Sequence, residues 1–136
     1  MFVRPLCSDE EETIKGVIAL MARAVESDRW VWSEKDSIFA RRFVNYSFIE
    51  DRISCVVIHD TLGVVGWAAA YETSGKLWKV AALIYDPKFK GEDGVTVKEL
   101  LELGVNMAIN DRGGITEESL YKTARRTDLT DKFSRN

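Results

Sequence analysis

Few residues in this chain are suited to covalent or metal chemistry. It has two cysteines, Cys7 and Cys55, and a single histidine, His59. A catalytic thiol needs a partner base, and the sequence shows no histidine partner for either cysteine. A zinc site needs several ligands at short spacings, which one histidine and two separated cysteines do not supply. The residue types therefore argue against thiol catalysis and against a metal site.

The hydrophobic pattern predicts a mixed α/β chain. The run Ser54–Ile58 is short, apolar and β-branched, as in strands, whereas apolar residues recur at helical spacing between Ile14 and Val25. Successive strands with short turns predict an antiparallel meander, and Gly66 inside one strand indicates a bulge or a close backbone approach. We predict strands over residues 2–4, 53–59, 64–71 and 77–85. We predict helices over residues 9–26 and 96–110, and two further helices that begin at Ser33 and at Thr116.

Helix signals refine two of these elements. Ser8 and Glu11 have the spacing of a capping box at the start of the first helix, and Ser33 is a candidate cap for the second. After Asn110, only Gly114-Ile115 is a candidate for a fifth strand. The second helix is expected to bury one apolar face, made of Ile38, Phe39, Phe43, Val44 and Phe48.

Composition limits the class of protein. The chain has 136 residues, 46% of them hydrophobic, which suits one domain with a real core. A net charge of −3 gives no general attraction to nucleic acid or to anionic membranes, although residues 122–135 form a basic tail. No apolar run approaches the roughly 20 residues that span a bilayer, and no targeting segment is visible. We therefore expect a cytoplasmic protein with reduced thiols, no membrane association and no nucleic-acid partner.

Three segments together resemble the GNAT N-acyltransferases. Phe2–Pro5 with Asp9 is similar to the family's first strand and acidic turn, and Gly63–Trp67 resembles its third strand. Leu77–Gly91 resembles the fourth strand entering the acyl-CoA loop. The resemblance implies an α/β fold with a mixed, mainly antiparallel sheet flanked by helices. It implies a GNAT-like domain over residues 1–115, with residues 116–136 as a C-terminal helix and basic tail, and with the family's closing C-terminal hairpin missing.

The resemblance also implies a site for acetyl-CoA and no metal. In the family, backbone groups of the fourth strand pair with the pantetheine arm, and amides of the following loop bind the diphosphate. The matching positions here are Leu83, Ile84 and Tyr85 on the strand, and Lys90, Gly91, Gly94, Val95 and Thr96 in the loop. The loop departs from the family pattern: it is longer, and it contains Glu92 and Asp93, whose carboxylates would repel a diphosphate.

Two residues are candidates for acid–base roles under this resemblance. Tyr121 matches the family's tyrosine that protonates the departing thiolate, although a lone helical tyrosine is also a packing residue. Glu72 is a candidate base for the amine, although a carboxylate at a strand end is also simply solvated. Trp30 and Trp32 are candidates for lining an acceptor pocket.

Two functions remain open from the sequence, and a third, nucleic-acid binding, rests only on the basic tail and ranks last. The first is an acetyltransferase that moves acetyl from acetyl-CoA to an amine. The second is a catalytically inactive GNAT-like assembly protein, for example a phage virion component. The second interpretation draws on the altered loop, the open sheet edge and the basic tail, through which a protein partner or a second copy could bind. In that case the protein would reside in the host cytoplasm or in the virion.

Overall fold

A computed structural model describes residues 1–27, 31–49, 52–91 and 93–116 of the chain. Within them the elements run in the order β1 (Phe2–Pro5), α1 (Glu11–Ser27), α2 (Glu34–Tyr46), β2 (Arg52–His59), β3 (Gly63–Ser74), β4 (Leu77–Tyr85), α3 (Val97–Asp111) and β5 (Ile115–Thr116). The strands form one sheet in chain order. Strands β1 to β4 are antiparallel to their neighbours, and β5 is parallel to β4.

The sheet has helices on both faces and therefore two apolar cores. Side chains of α1 and α2 pack with Val56, Trp67 and Ala69 on one face. Side chains of α3 pack with Val57, Ala68 and other sheet residues on the opposite face. This architecture confirms the predicted mixed α/β class and the antiparallel meander. No helix among the described residues has the length and apolar content needed to cross a membrane.

Most element bounds follow the sequence prediction closely. Strand β4 has the predicted limits, and α3 begins directly after Thr96, which caps it by accepting from the Glu99 amide at 3.1 Å. The turns that open and close β3 use Gly63 and Gly75 at φ 76° and 58°, a region that favours glycine. Thr116 ends β5, so the helix expected from Thr116 onward lies outside the described residues.

The predicted start of α1 was wrong. The helix begins at Glu11, and the backbone amide of Cys7 donates to the Glu10 carboxylate at 2.7 Å, in place of a box between Ser8 and Glu11. Glu11 instead accepts from Arg41 of α2 at 2.7 Å, and this hydrogen bond is the main cause that lowers the pKa of Glu11. The carboxylates of the first turn thus connect to the preceding strand and to the neighbouring helix.

The apolar face predicted for α2 was wrong in part. The Ser33 cap is confirmed, since Ser33 and Asp36 form a complete capping box. However, the residues that α2 buries are Ala40 and Val44, whereas Phe39 and Phe43 are 59% and 46% exposed. The helix docks along a narrow stripe at i, i+4 spacing, and its large aromatic side chains border this stripe.

Gly66 is a point of close approach between the sheet and α3. A Cβ atom at Gly66 would lie 2.5 Å from Cγ1 of Val97 and 3.1 Å from Cδ1 of Leu101. Both side chains are at most 1% exposed. A β-bulge also occurs here, because Val57 pairs with Gly66 and the next pair is Ile58 with Val64. Both alternatives predicted for this glycine are therefore confirmed.

The contact at Gly66 gives the first testable prediction. We expect Gly66→Ala to lower the free energy of unfolding by about 1–3 kcal/mol, because the added methyl group overpacks the start of α3. In a Val97→Ala background, Gly66→Ala should lower the free energy of unfolding clearly less, because the nearest colliding atom, Cγ1 of Val97, is absent. Urea denaturation of the four proteins measures both costs, and equal costs in the two backgrounds would contradict this explanation.

Candidate functional site

Strand β4 contains a bulge that separates its two halves. Val80 pairs with Ala70 and Ala82 pairs with Ala69, so Ala81 has no opposite residue on β3. The side chains change face across this point: Val80 packs in the α3 core, whereas Ala82 packs on the side of α1 and α2. Bulges bend a strand and increase its twist. The second half of β4 is therefore turned relative to the first.

The outer edge of β4 is paired only at its start in the described residues. Leu77 pairs with Ile115 and Trp78 pairs with Thr116, and no further β4 residue has a partner on β5. Among the described residues, β4 has backbone partners only on its β3 side from residue 79 to Tyr85. The described sheet thus opens between β4 and β5, beginning close to the bulge.

The register shows which backbone groups face this open edge. The Asp86 amide donates to the Val65 carbonyl at 3.0 Å, which makes these two residues a hydrogen-bonded pair. Because such pairs alternate in an antiparallel ladder, Ile84 also points its N–H and C=O toward β3. The backbone groups of Leu83 and Tyr85 point outward. Two of the three predicted strand positions therefore direct their backbone groups to the outer edge, where no described residue pairs with them, while Ile84 contributes only its side chain.

The loop from Asp86 to Thr96 is folded back on itself. Lys90 and Thr96 form an isolated antiparallel bridge. The Gly91 amide donates to the Val95 carbonyl at 2.8 Å, and the Gly94 amide donates to the Gly91 carbonyl at 2.9 Å. Gly94 has a φ of 82°, which closes the turn. The amides of Gly91 and Gly94 are therefore already paired within the loop.

A carboxylate occupies the remaining space in this turn. The Val95 amide donates to Oδ1 of Asp93 at 3.2 Å. The same oxygen lies 3.0 Å from the position that a Cβ atom on Gly91 would take. Thr96 caps α3, and its hydroxyl donates to the Glu99 carboxylate at 3.2 Å. Lys90 is exposed, and Glu92 lies outside the described residues.

These contacts decide how well the site suits acetyl-CoA. The open edge of β4 suits a pantetheine arm, because its outward backbone donors and acceptors have no partner within residues 1–27, 31–49, 52–91 and 93–116. The loop does not suit a diphosphate, since the amides of Gly91, Gly94 and Val95 have internal partners and Asp93 fills the turn. Diphosphate binding by Lys90, Gly91, Gly94, Val95 and Thr96 stays a prediction that this geometry does not support.

An apolar cavity of about 480 Å³ lies between α1, α2 and β4. It reaches β4 at Ile84, the neighbour of the outward-facing residues. Its lining includes Trp32, which the sequence proposed for an acceptor pocket, and also Phe39 and Phe43, which the sequence assigned to the core. Among the described residues of this lining, Asp36 is the one that is ionisable. The other proposed tryptophan, Trp30, lies outside the described residues.

The structure does not bring Glu72, one of the two predicted catalytic residues, to the open edge. Glu72 is exposed and lies opposite Trp78, where β4 is still paired with β5. Leu83 lies opposite Ala68, four residues from Glu72 and therefore about 13 Å along the strand. Tyr121 lies outside the described residues. Both catalytic roles stay predictions.

The cysteines border a different cavity, of about 450 Å³, between β1 and the second half of α3. Cys7 is exposed and Cys55 is 3% exposed. Burial raises the pKa of the Cys55 thiol to about 11, although the charge of Arg112 acts in the opposite direction. The described residues contain no group of three or more potential metal ligands. Cys55 is therefore an unreactive, protonated thiol near neutral pH.

Comparison with solved structures identifies the fold. The aminoglycoside 6'-N-acetyltransferase from Enterococcus faecium superposes with a TM-score of 0.65 at 16% sequence identity, over 85% of this chain. An aminoglycoside 6'-N-acetyltransferase complexed with coenzyme A gives 0.61 at 14% identity, also over 85%. An acetyltransferase of the GNAT family from Staphylococcus aureus Mu50 gives 0.57 at 11% identity, over 82% of this chain and 67% of its own. The chain has the GNAT fold.

At these low sequence identities, the structural likeness shows the fold alone. The chain spans 58% of the length of each of the two aminoglycoside acetyltransferases. No protein-family model and no curated protein matches the sequence. The structural matches confirm the fold expected from Phe2–Pro5, Gly63–Trp67 and Leu77–Gly91.

The bulge at Ala81 was not predicted, and neither was the contribution of Phe39 and Phe43 to a cavity wall. The available signal for the bulge is weak, since Ala81 and Ala82 are two small residues in an otherwise large apolar run. For the two phenylalanines, the sequence shows only that they are apolar and at helical spacing.

Cys55 gives a prediction about pH dependence. Its folded pKa of about 11 exceeds its ordinary value of 9.0, so the stabilisation from the protonated thiol is present below pH 9 and is lost as the pH rises to about 11. We expect the free energy of unfolding to fall by about 1–2 kcal/mol more in the native protein than in Cys55→Ala over this interval. Denaturant unfolding at pH 8.5 and 11 measures this difference, and parallel pH profiles would contradict it.

Proposed function

We propose that this chain is an acetyltransferase that moves an acetyl group from acetyl-CoA to an amine. The observation that carries the proposal is the open outer edge of β4 beyond the bulge at Ala81, within a GNAT fold. An edge with outward N–H and C=O groups can accept an extended amide-containing ligand in the manner of an added strand. The pantetheine arm of acetyl-CoA contains two such amide groups.

The proposed roles of the described residues follow from their places on this edge. The backbone groups of Leu83 and Tyr85 would hold the pantetheine arm. When bound, acetyl-CoA supplies the acetyl group as a thioester, which an amine can attack directly. The unopposed residue Ala81 would direct its N–H to the oxygen that gains negative charge during the attack, a preorganised contribution that needs no movement of the chain.

The 480 Å³ cavity suggests the kind of acceptor. Its aromatic and aliphatic lining favours an amine carried on an apolar group. The lining also contains Asp36, whose pKa is lowered, first by the hydrogen bond from the Ser33 backbone and then by that from the Ser33 side chain. Asp36 therefore carries a negative charge at neutral pH, which favours a cationic acceptor at this wall of the cavity.

A second candidate function is a GNAT-like domain without catalytic activity. The observation that favours it is the closed loop, in which Gly91, Gly94 and Val95 use their amides internally. In this interpretation the open sheet edge and the basic tail, residues 122–135, would bind a protein partner or a second copy. A role in a phage virion stays a prediction.

Ligand binding distinguishes the two functions. If the chain is an acetyltransferase, acetyl-CoA at 100 times its dissociation constant should stabilise the folded protein by about 2.7 kcal/mol. Thermal unfolding of the full chain with increasing acetyl-CoA measures this effect, and CoA lacking the acetyl group is the control for the thioester. The absence of any stabilisation at millimolar acetyl-CoA would contradict the enzymatic proposal.

The open edge predicts a specific effect of proline at Leu83. Leu83→Pro should abolish stabilisation by acetyl-CoA, because it removes an outward N–H while leaving the β3 ladder intact. Leu83→Ala loses the same packing but keeps the N–H, so it should retain the stabilisation. Circular dichroism checks that both variants fold. Equal ligand effects in the two variants would contradict the role of this backbone group, and Tyr85→Pro with Tyr85→Ala provides an independent pair.

A further inference from the structure

The loop between β4 and α3 carries its own anion. Oδ1 of Asp93 accepts from the Val95 amide at 3.2 Å and lies 3.0 Å from where a Gly91 Cβ would be. The carboxylate therefore fills the space that the missing side chain of Gly91 leaves open. An oxygen of a bound diphosphate would need that same space and that same amide.

Two further amide donors of this turn are also in use. The Gly91 and Gly94 amides donate to carbonyl groups inside the loop. At the start of α3, Thr96 accepts from the Glu99 amide, and the Glu99 carboxylate adds negative charge to the first turn. Lys90 is exposed and makes no ion pair with a described residue. The loop thus offers a diphosphate the side chains of Lys88 and Lys90 and no unpaired amide from Gly91, Gly94 or Val95.

The charge of Asp93 also lowers the affinity of the loop for a diphosphate directly. Two like charges about 4 Å apart in water repel by an amount equivalent to roughly fivefold in affinity, and more where water is excluded. A diphosphate seated at this turn would meet that repulsion unless Asp93 moved, and movement would leave the Val95 amide without its present partner. The outward backbone groups of Leu83 and Tyr85 carry no such penalty, because they are neutral and pair with no described residue on β4's outer side.

We propose, resting on the proposed function, that this chain recognises its acyl donor through the pantetheine arm and that Asp93 excludes a contribution from the diphosphate. An acyl-pantetheine without the nucleotide is then as good a donor as acetyl-CoA. The transfer is the same for both donors. The amine nitrogen bonds to the acetyl carbon, the carbon–sulfur bond breaks, and the thiol leaves with the proton that the amine gives up.

Calorimetric titration of the full chain with acetyl-CoA and with acetyl-pantetheine tests this proposal. We expect the two dissociation constants to differ by less than about tenfold. Asp93→Ala should tighten acetyl-CoA binding by about fivefold or more and leave acetyl-pantetheine binding unchanged. Asp93→Asn removes the charge but keeps an oxygen that can accept from the Val95 amide. This variant therefore distinguishes repulsion of the diphosphate by the Asp93 charge from competition for the Val95 amide.

Asp86→Asn is the matched control, because Asp86 is a second loop carboxylate that accepts from the Lys88 amide at 3.0 Å and contributes none of the atoms within 4 Å of the Gly91 Cβ position. An equal gain in Asp86→Asn would overturn the assignment to Asp93, and so would an unchanged acetyl-CoA affinity in both Asp93 variants. A preference for acetyl-CoA of tenfold or more in the native protein overturns the proposal while leaving the proposed function intact. If neither ligand binds, the proposed function fails and this proposal fails with it.

Discussion

The packing of α3 against Gly66 determines where the chain can place a ligand. Val97, the first residue of the helix, rests on a glycine of β3 that pairs directly with Tyr85, the last residue of β4. The chain must therefore leave β4 and return to nearly the same place within residues 86–96. A Cβ atom at Gly66 would move the start of α3 away from the sheet, and residues 86–96 would then have to span a longer distance. The tight loop beside the open edge is a consequence of that one contact.

A loop of this kind must find partners for its backbone amides. Water, a bound anion or the loop's own acceptors can provide them. In this chain the carbonyls of Gly91 and Val95 and the carboxylate of Asp93 provide them. This arrangement orders the loop without a ligand, and it also removes the donors that an anion would use. The same residues therefore link the order of the loop to its low suitability for a diphosphate.

The sequence predicts well the elements whose signals are local. Strand β4 and the start of α3 follow from a mainly apolar run and from Thr96 as a cap, and Gly75 fixes the turn before β4. The Ser8–Glu11 pattern predicted a capping box, but Glu10 reaches the Cys7 amide first. Local spacing cannot distinguish between two neighbouring glutamates when the path of the preceding strand decides which one is in reach.

The elements that define the site depend on tertiary contacts, and the sequence predicts them poorly. The aromatic residues of α2 have the spacing of a core face, yet the helix docks through Ala40 and Val44 because small side chains allow it to approach closely. The larger side chains of Phe39 and Phe43 are left to line a cavity. Similarly, the register of β3 and β4 decides that Ala81 is the bulged residue.

The two faces of β4 explain why the site forms at its edge. Ile84 points into the cavity beside α1 and α2, whereas Leu83 and Tyr85 place their side chains in the α3 core and their backbone groups outward. In the proposed function, an amine acceptor in the cavity and an acyl donor along the edge would therefore approach the same short segment of β4 from different directions. Neither would need to displace a core side chain. In the proposed function, holding both reactants beside one strand would supply the entropic part of catalysis without a reactive side chain.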